Sequence, residues 1–190
     1  MTNASTDAAA AGTLLVLSGP PGSGKTTIAR ALADTAGRPT VHLATDLFYV
    51  AIRKGFVQPF LPAAAKQNEV VLDVIVDAMI GYSKGGYDVI VDGIVGPWSL
   101  PQFAKGAARA SRELAFVVLR PSFEETFARA VAREGKELKA SGPIKGLYGA
   151  FAALGELERH AIDTSGETVE ATTLRIRDAV ASGQFALAGP

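Results

Sequence analysis

Apolar residues along this chain follow two rhythms. Short apolar-rich runs occur at residues 13–18 (TLLVLS), 87–91 (YDVIV) and 114–119 (LAFVVL). Runs of that length and continuity predict strands buried on both faces. Residues 40–43 predict another short strand, and residues 160–163 a last one. Between them the spacing becomes helical. Residues 24–36 carry Ile28, Leu32 and Ala36 on one face, and residues 63–84 place Val70, Val74 and Met79 on the buried side. Residues 98–110, 122–134 and 167–181 predict further helices. Ser122 is placed to cap the helix at 122–134, with Glu125 three residues on as its capping-box partner. Gly37, Pro39 and the Gly85-Gly86 pair punctuate the pattern. Strands alternating with helices predict an α/β fold, a parallel sheet with helices on both faces.

The same pattern sets the organisation. Residues 1–12 are rich in Ala, Ser and Thr and read as a flexible tail. Residues 13–190 read as one domain. Within it, residues 135–147 are polar, Lys-rich and interrupted by Gly142-Pro143, which predicts a mobile lid. A chain of 190 residues suits one well-cored domain, and its 48% hydrophobic content supplies the core. Nineteen basic and nineteen acidic residues cancel, so no general attraction to nucleic acid or an anionic membrane is expected. The absence of cysteine excludes disulfides and thiolate ligands, and the two histidines, His42 and His160, make a histidine metal site a poor reading. No basic signal-peptide start is present, and no apolar run approaches the roughly 20 residues needed to span a bilayer. A cytoplasmic protein is expected.

Candidate chemistry begins after the first strand. Gly19, Pro20, Pro21, Gly22, Ser23, Gly24, Lys25, Thr26 and Thr27 (GPPGSGKTT) contain the pattern G-x-x-x-x-G-K-[ST] at a strand-to-helix turn. Glycines let the backbone turn its N–H groups inward around an anion, and the helix start aims its positive end at the same place. Lys25 then neutralises the β- and γ-phosphates, and the Thr26 hydroxyl holds magnesium. ATP and Mg²⁺ are the expected cofactors.

Phosphate binding alone does not select a reaction. The guanine-reading tetrapeptide Asn-Lys-x-Asp of a switch GTPase is missing from the sequence. The remaining features favour a small kinase. Asp46 follows a strand end, where open parallel sheets place their ligands, and can act as general base for an attacking hydroxyl. Its alternative role is to cap the next helix. Asp92 ends the third strand; it is a second candidate at the metal, and the alternative is an Asp-Gly turn. Arg129 and Arg133 stand four apart before the lid, placed either to meet the moving phosphoryl group or to pair with Glu125 and Glu134. Phe48, Tyr49, Phe56, Phe60 and Trp98 line the acceptor pocket or belong to the core. His42 and His160 read as satisfied internal residues.

The order GPPGSGKTT, ATDLF, VIVDG and LRPSFEETFARAVAREG, with HAIDTSGETVEATTLRIRDAV from His160 to Val180, resembles the chloramphenicol phosphotransferase-like and zeta-toxin group of small P-loop kinases. The resemblance implies a three-layer P-loop NTPase fold with a parallel five-stranded sheet. It also implies transfer of the γ-phosphoryl group of ATP to a hydroxyl. By it, Asp46 matches the catalytic aspartate, Lys25 and Thr26 the phosphate loop, and Arg133 a lid arginine. Arg120 and residues 163–166 fall where such kinases hold adenine. The acidic pair found at the third strand end of the antibiotic-modifying enzyme is Asp-Gly here, and residues 56–66 depart from the pattern. The acceptor therefore stays open among an antibiotic, a sugar, a sugar nucleotide or a similar metabolite. A nucleoside or nucleotide kinase, and an ATP-binding switch, are the alternatives.

Overall fold

A computed structural model describes residues 12–132 and 141–187. Five strands form one sheet: β1 (Leu14–Ser18), β2 (Thr40–Ala44), β3 (Asp88–Asp92), β4 (Leu114–Leu119) and β5 (Ala161–Ile162). Their order is β2-β3-β1-β4-β5, and every pairing is parallel. Among the described residues seven α-helices accompany them: α1 (Lys25–Asp34), α2 (Thr45–Val50), α3 (Ala65–Lys84), α4 (Leu100–Arg109), α5 (Phe123–Ala132), α6 (Ser141–Ala152) and α7 (Val169–Ala181).

The continuous apolar runs explain the layers. β1 and β4 are buried at every position, so each needs cover on both faces. On one side Val16, Val91 and Phe116 pack with Ile75 and Met79 of α3, Phe103 of α4 and Phe151 of α6. On the other, Leu17, Ile90 and Val117 pack with Ile28 and Leu32 of α1 and Ile176 of α7. From β1 the chain steps past the β3 position to β2, returns to β3, and only then crosses to β4 on the other side of β1. This reversal opens a crevice beyond the carboxyl end of β1, the usual ligand position of such sheets.

Several expectations change. Residues 1–11 and 133–140 lie outside the described residues, so the tail and the first half of the lid segment do too. Gly12 belongs to the body: a Cβ there would stand 1.8 Å from the Tyr87 carbonyl oxygen. The second half of the lid segment is helix α6. Pro143 falls in its first turn, where no intrahelical donor is required, so the Gly-Pro pair does not break it. Val70 and Val74 face solvent, and Val71, Ile75, Val76 and Met79 form the buried stripe of α3. Apolar residues at 70, 71, 72, 74, 75 and 76 leave the phase of that helix ambiguous from sequence.

The capping box is half made. Ser122 Oγ accepts from the Glu125 N–H at 3.3 Å, whereas the Ser122 N–H donates to Ser165 Oγ at 2.8 Å. His160 ends a 3-10 turn (Gly155–His160) before β5. It is fully buried, with Nδ1 donating to the Phe116 carbonyl at 2.9 Å. An unpredicted antiparallel bridge joins Ala186 to Ala115 along the same edge of β4.

Candidate active site

The phosphate loop leaves β1 at Ser18 and enters α1 at Lys25. Ser18 Oγ donates to the Val95 carbonyl (2.6 Å) and accepts from the Val95 N–H (2.9 Å), fixing the β3–α4 loop against the end of β1. Gly22 and Gly24 take φ of 87° and 92°, a left-handed conformation that favours glycine. A Cβ on Gly22 would lie 2.1 Å from the Thr126 carbonyl of α5, so the loop is pressed against that helix. At Gly24 a Cβ would meet nothing within 4 Å, so the loop opens there. Gly24 supplies no capping side chain, which leaves the first-turn N–H groups of α1 for an anion.

Two further observations fit a polyphosphate. Lys25 is buried, and its Nζ donates to the Pro20 carbonyl at 2.9 Å, across the loop. Ser23 Oγ is buried with no hydrogen-bond partner. A buried hydroxyl without a partner is costly unless a polar group joins it. A phosphate oxygen would satisfy Ser23 beside the positive charge of Lys25.

Thr26 continues the site. Its hydroxyl donates to Asp92 Oδ1 at 3.0 Å, and the other carboxylate oxygen, Oδ2, accepts from His42 Nε2. Asp92 is 4% exposed. With its proton directed to Asp92, the Thr26 oxygen keeps its lone pairs for a hard cation, the donor type magnesium prefers. The residues present fit Mg²⁺: the Thr26 hydroxyl as ligand, and Asp92 as acceptor for the cation's water shell. No group of three or more Asp, Glu or His side chains capable of caging a metal occurs among the described residues.

Asp46 lies in the first turn of α2, immediately beyond β2. Thr45 and Gly93 bring the ends of β2 and β3 together, since a Cβ on residue 93 would stand 2.2 Å from Thr45 Oγ1. Asp46 and Asp92 thus occupy neighbouring strand ends. Burial, and then the Asp46 charge, push the Tyr49 phenol above its ordinary pKa. The flanking aromatics divide. Phe48 and Tyr49 pack on the core. Phe56, Phe60 and Trp98 remain exposed. Gln67 holds the intervening loop by accepting from the Val57 N–H (2.8 Å) and donating to the Val57 carbonyl (2.7 Å), and Asn68 donates to the Pro59 carbonyl (2.8 Å). Trp98 stacks edge-on against Phe151 with centroids 5.7 Å apart.

Arg133 lies outside the described residues. Arg129 pairs with Glu125 at 2.8 Å, the helical ion pair that was its alternative role. Arg120 meets Glu158 with two nitrogens and donates to the Phe151 carbonyl at 2.9 Å. Hydrogen bonding to Arg120 lowers the Glu158 carboxyl pKa, and hydrogen bonds from Ser165 lower that of Asp163. The turn at residues 163–166 is pinned to α5, with the Gly166 N–H donating to Glu125 Oε1 at 3.0 Å. Sequence reasoning did not find the His42–Asp92 contact, nor the second use of Glu125. Neither carries a local signal, because each partner lies more than 40 residues away.

The phosphate loop, parallel sheet and strand-end carboxylates define a P-loop kinase fold. The model of the chloramphenicol phosphotransferase-like family matches residues 12–181, and the chain belongs to that family. It is a phosphotransferase enzyme. Among curated proteins it is similar to a cytidylate kinase of Pyrobaculum neutrophilum, with 27% identity over 173 residues covering 88% of both chains. Among solved structures it resembles a sugar kinase from Janibacter sp. HTCC2649 (TM-score 0.68, 20% identity, 90% of this chain and 95% of that one). It also resembles the tunicamycin resistance protein of Deinococcus radiodurans (TM-score 0.67, 18% identity, 94% and 99%). At such identities the two structural likenesses establish the fold.

Proposed function

We propose that this chain is an ATP- and magnesium-dependent kinase that transfers the γ-phosphoryl group to a hydroxyl of a small molecule. One observation carries the reading: two carboxylates at adjacent strand ends differ in burial. Asp92 is buried and bound to Thr26 of the phosphate loop, on the metal side. Asp46 is exposed in the first turn of α2, just beyond the neighbouring strand, and in this reading it serves the acceptor. Asp46 takes the proton of the attacking hydroxyl as its oxygen bonds to the γ-phosphorus and the bond to the β-phosphate bridging oxygen breaks. Lys25 and the α1 N-terminus offset charge on the phosphates. Thr26, with Asp92 behind it, would hold magnesium, which would supply further charge neutralisation at the phosphates. Arg133 belongs to this proposal as a lid cation, Arg129 as its neighbour, and Arg120 with the 163–166 turn as the adenine side.

The acceptor side favours a body with apolar surface. Leu47, Phe60, Leu61, Ile94 and Trp98 are exposed on the segments that follow β2 and β3. A second reading, a nucleotide kinase, is favoured by the similarity to a cytidylate kinase; Arg53 and Lys54 would then serve an acceptor phosphate.

ADP release from MgATP across pooled hydroxylated metabolites, antibiotics and nucleoside monophosphates tests these readings. Acceptor-dependent ADP that is lost in Asp46→Asn, with ATP affinity within about twofold of wild type, is the expected result. Activity confined to the monophosphate pool moves the assignment to the second reading. Activity that survives Asp46→Asn removes Asp46 as the base.

A further inference from the structure

His42 is placed where a strand residue ordinarily has little to do. β2 is an edge strand, and its register sets His42 opposite Ile90 and Ala44 opposite Asp92. Side chains at 42 and 44 share a face with those at 90 and 92. That face is the α1 side, since Ile90 packs in the cluster containing Ile28 and Leu32. From there His42 reaches diagonally, one residue pair further along, to the Asp92 carboxylate. Only 16% of its side chain is exposed.

The consequence concerns both oxygens of Asp92. A carboxylate accepts one donor readily from several directions, and with Thr26 alone it could rotate about Cβ–Cγ and present either oxygen. With Nε2–H on Oδ2 and the Thr26 hydroxyl on Oδ1, its plane is fixed and both buried oxygens are satisfied. The Thr26 proton is then committed to Oδ1, and the Thr26 lone pairs point elsewhere. Because Asp92 is buried, water does not substitute freely for the imidazole.

We propose that His42 is a positioning residue for the magnesium side of the site: by holding Asp92 Oδ2 it orients the Asp92–Thr26 pair to receive the cation that accompanies the nucleotide phosphates. This rests on the metal role given to Thr26 and Asp92 above. His42 touches neither nucleotide nor metal in this assignment; it acts through Asp92, as outer ligands commonly act through inner ones.

Nucleotide binding in the absence of any acceptor tests the proposal. ADP affinity is measured by titration calorimetry with excess Mg²⁺ and again with EDTA, for wild type, His42→Leu and His42→Gln. The ratio of the two affinities is the magnesium-dependent gain. The expected result is a gain about 10-fold smaller in His42→Leu, the lower end of what loss of an outer-shell partner costs. Metal-free ADP affinity should stay within about twofold of wild type, because the loop amides and Lys25 are untouched. His42→Gln, whose amide N–H reaches close to the imidazole Nε2 position, should restore most of the gain.

A purely structural role would lower both affinities together, or neither, and would not be rescued by Gln; either pattern overturns the proposal. His42→Asn, too short to reach Asp92, replaces the Leu variant if that one does not fold. Removing His42 in an Asp92→Asn background should cost nothing further, and an undiminished second loss would also refute the coupling. A wild-type protein with no magnesium-dependent gain would overturn the metal side itself. A normal gain with no acceptor phosphorylated would sink the kinase reading while leaving His42 in its role.

Discussion

A methyl group at residue 22 has nowhere to go, whereas at residue 24 it has open space. Both glycines hold φ near +90°, so alanine at either carries a backbone cost of about 1–2 kcal/mol. At Gly22 the Cβ must also displace the Thr126 carbonyl at 2.1 Å, moving α5 or the loop. Gly22→Ala should therefore lower stability clearly more than Gly24→Ala in urea denaturation. Gly24→Ala should show its larger effect in nucleotide affinity, since its methyl would enter the open cradle. Equal stability losses would mean that the loop is not braced on α5. At this scale the sequence pattern is informative wherever a motif is contiguous: Gly19 to Thr27 could be named as a candidate phosphate loop because one stretch of chain carries the whole pattern. His42 could not, because its partner arrives through the β2–β3 register, and nothing in TVHLA announces a diagonal neighbour.

Helix α6 shows what an element needs beyond its own residues. Gly142, Gly146 and Gly149 weaken it as an isolated helix, and Pro143 resembles a break. It is held by what it touches: Ile144 and Phe151 are fully buried, Tyr148 donates to the Pro121 carbonyl at 3.0 Å, and Arg120 donates to the Phe151 carbonyl. Tertiary anchoring overrides propensity, so the segment reads as a loop locally and folds as a helix in place. Strands β1, β3 and β4 were more legible because continuous burial leaves an apolar run. The strand order was not, since such runs do not encode neighbours. Arg120→Met should remove the anchor on α6 and its pairing with Glu158. Faster amide exchange across residues 144–152 is expected, with a stability loss of roughly 1–2 kcal/mol. Unchanged exchange there would show that packing alone secures the helix.

The junction before β5 adds an acid response. Burial holds the His160 imidazole below its ordinary pKa, assisted by the neighbouring Arg159 charge. The unfolded chain then binds a proton near pH 6.5, before the folded one does. Its stabilising contribution is complete above that pH and falls as the pH drops toward the lower folded value. Glu158 and Asp163, both lowered, lose theirs further down, as the pH falls from the ordinary carboxylate range toward their lower folded values. Melting temperatures should decline in two stages, with the first, below about pH 6.5, absent in His160→Gln. A single stage confined to the carboxylate range would remove His160 from the account.

Over the whole molecule the charges sum to zero, so nucleotide capture depends on a local arrangement of dipoles and one buried ammonium. That arrangement sits at the junction of several elements: β1 feeds the loop, α1 leaves it, α5 braces Gly22, and β3 with β2 supplies Asp92 and His42. A ligand bound there touches groups that exist together only in the folded chain, and so stabilises it by mass action. At 100 times its dissociation constant MgADP should add about 2.7 kcal/mol, which for a domain of this size raises the melting temperature by roughly 5 to 11 °C. Lys25→Met should abolish most of that shift. Removing magnesium should reduce it without abolishing it, because the loop amides and Ser23 still meet the phosphates. If Lys25→Met kept the full shift, the nucleotide would have to be bound elsewhere, and the partnerless Ser23 hydroxyl would need another occupant. If the shift vanished with magnesium as completely as with Lys25, the cation side formed by Thr26, Asp92 and His42 would carry the binding, and the loop amides would serve mainly to shape it.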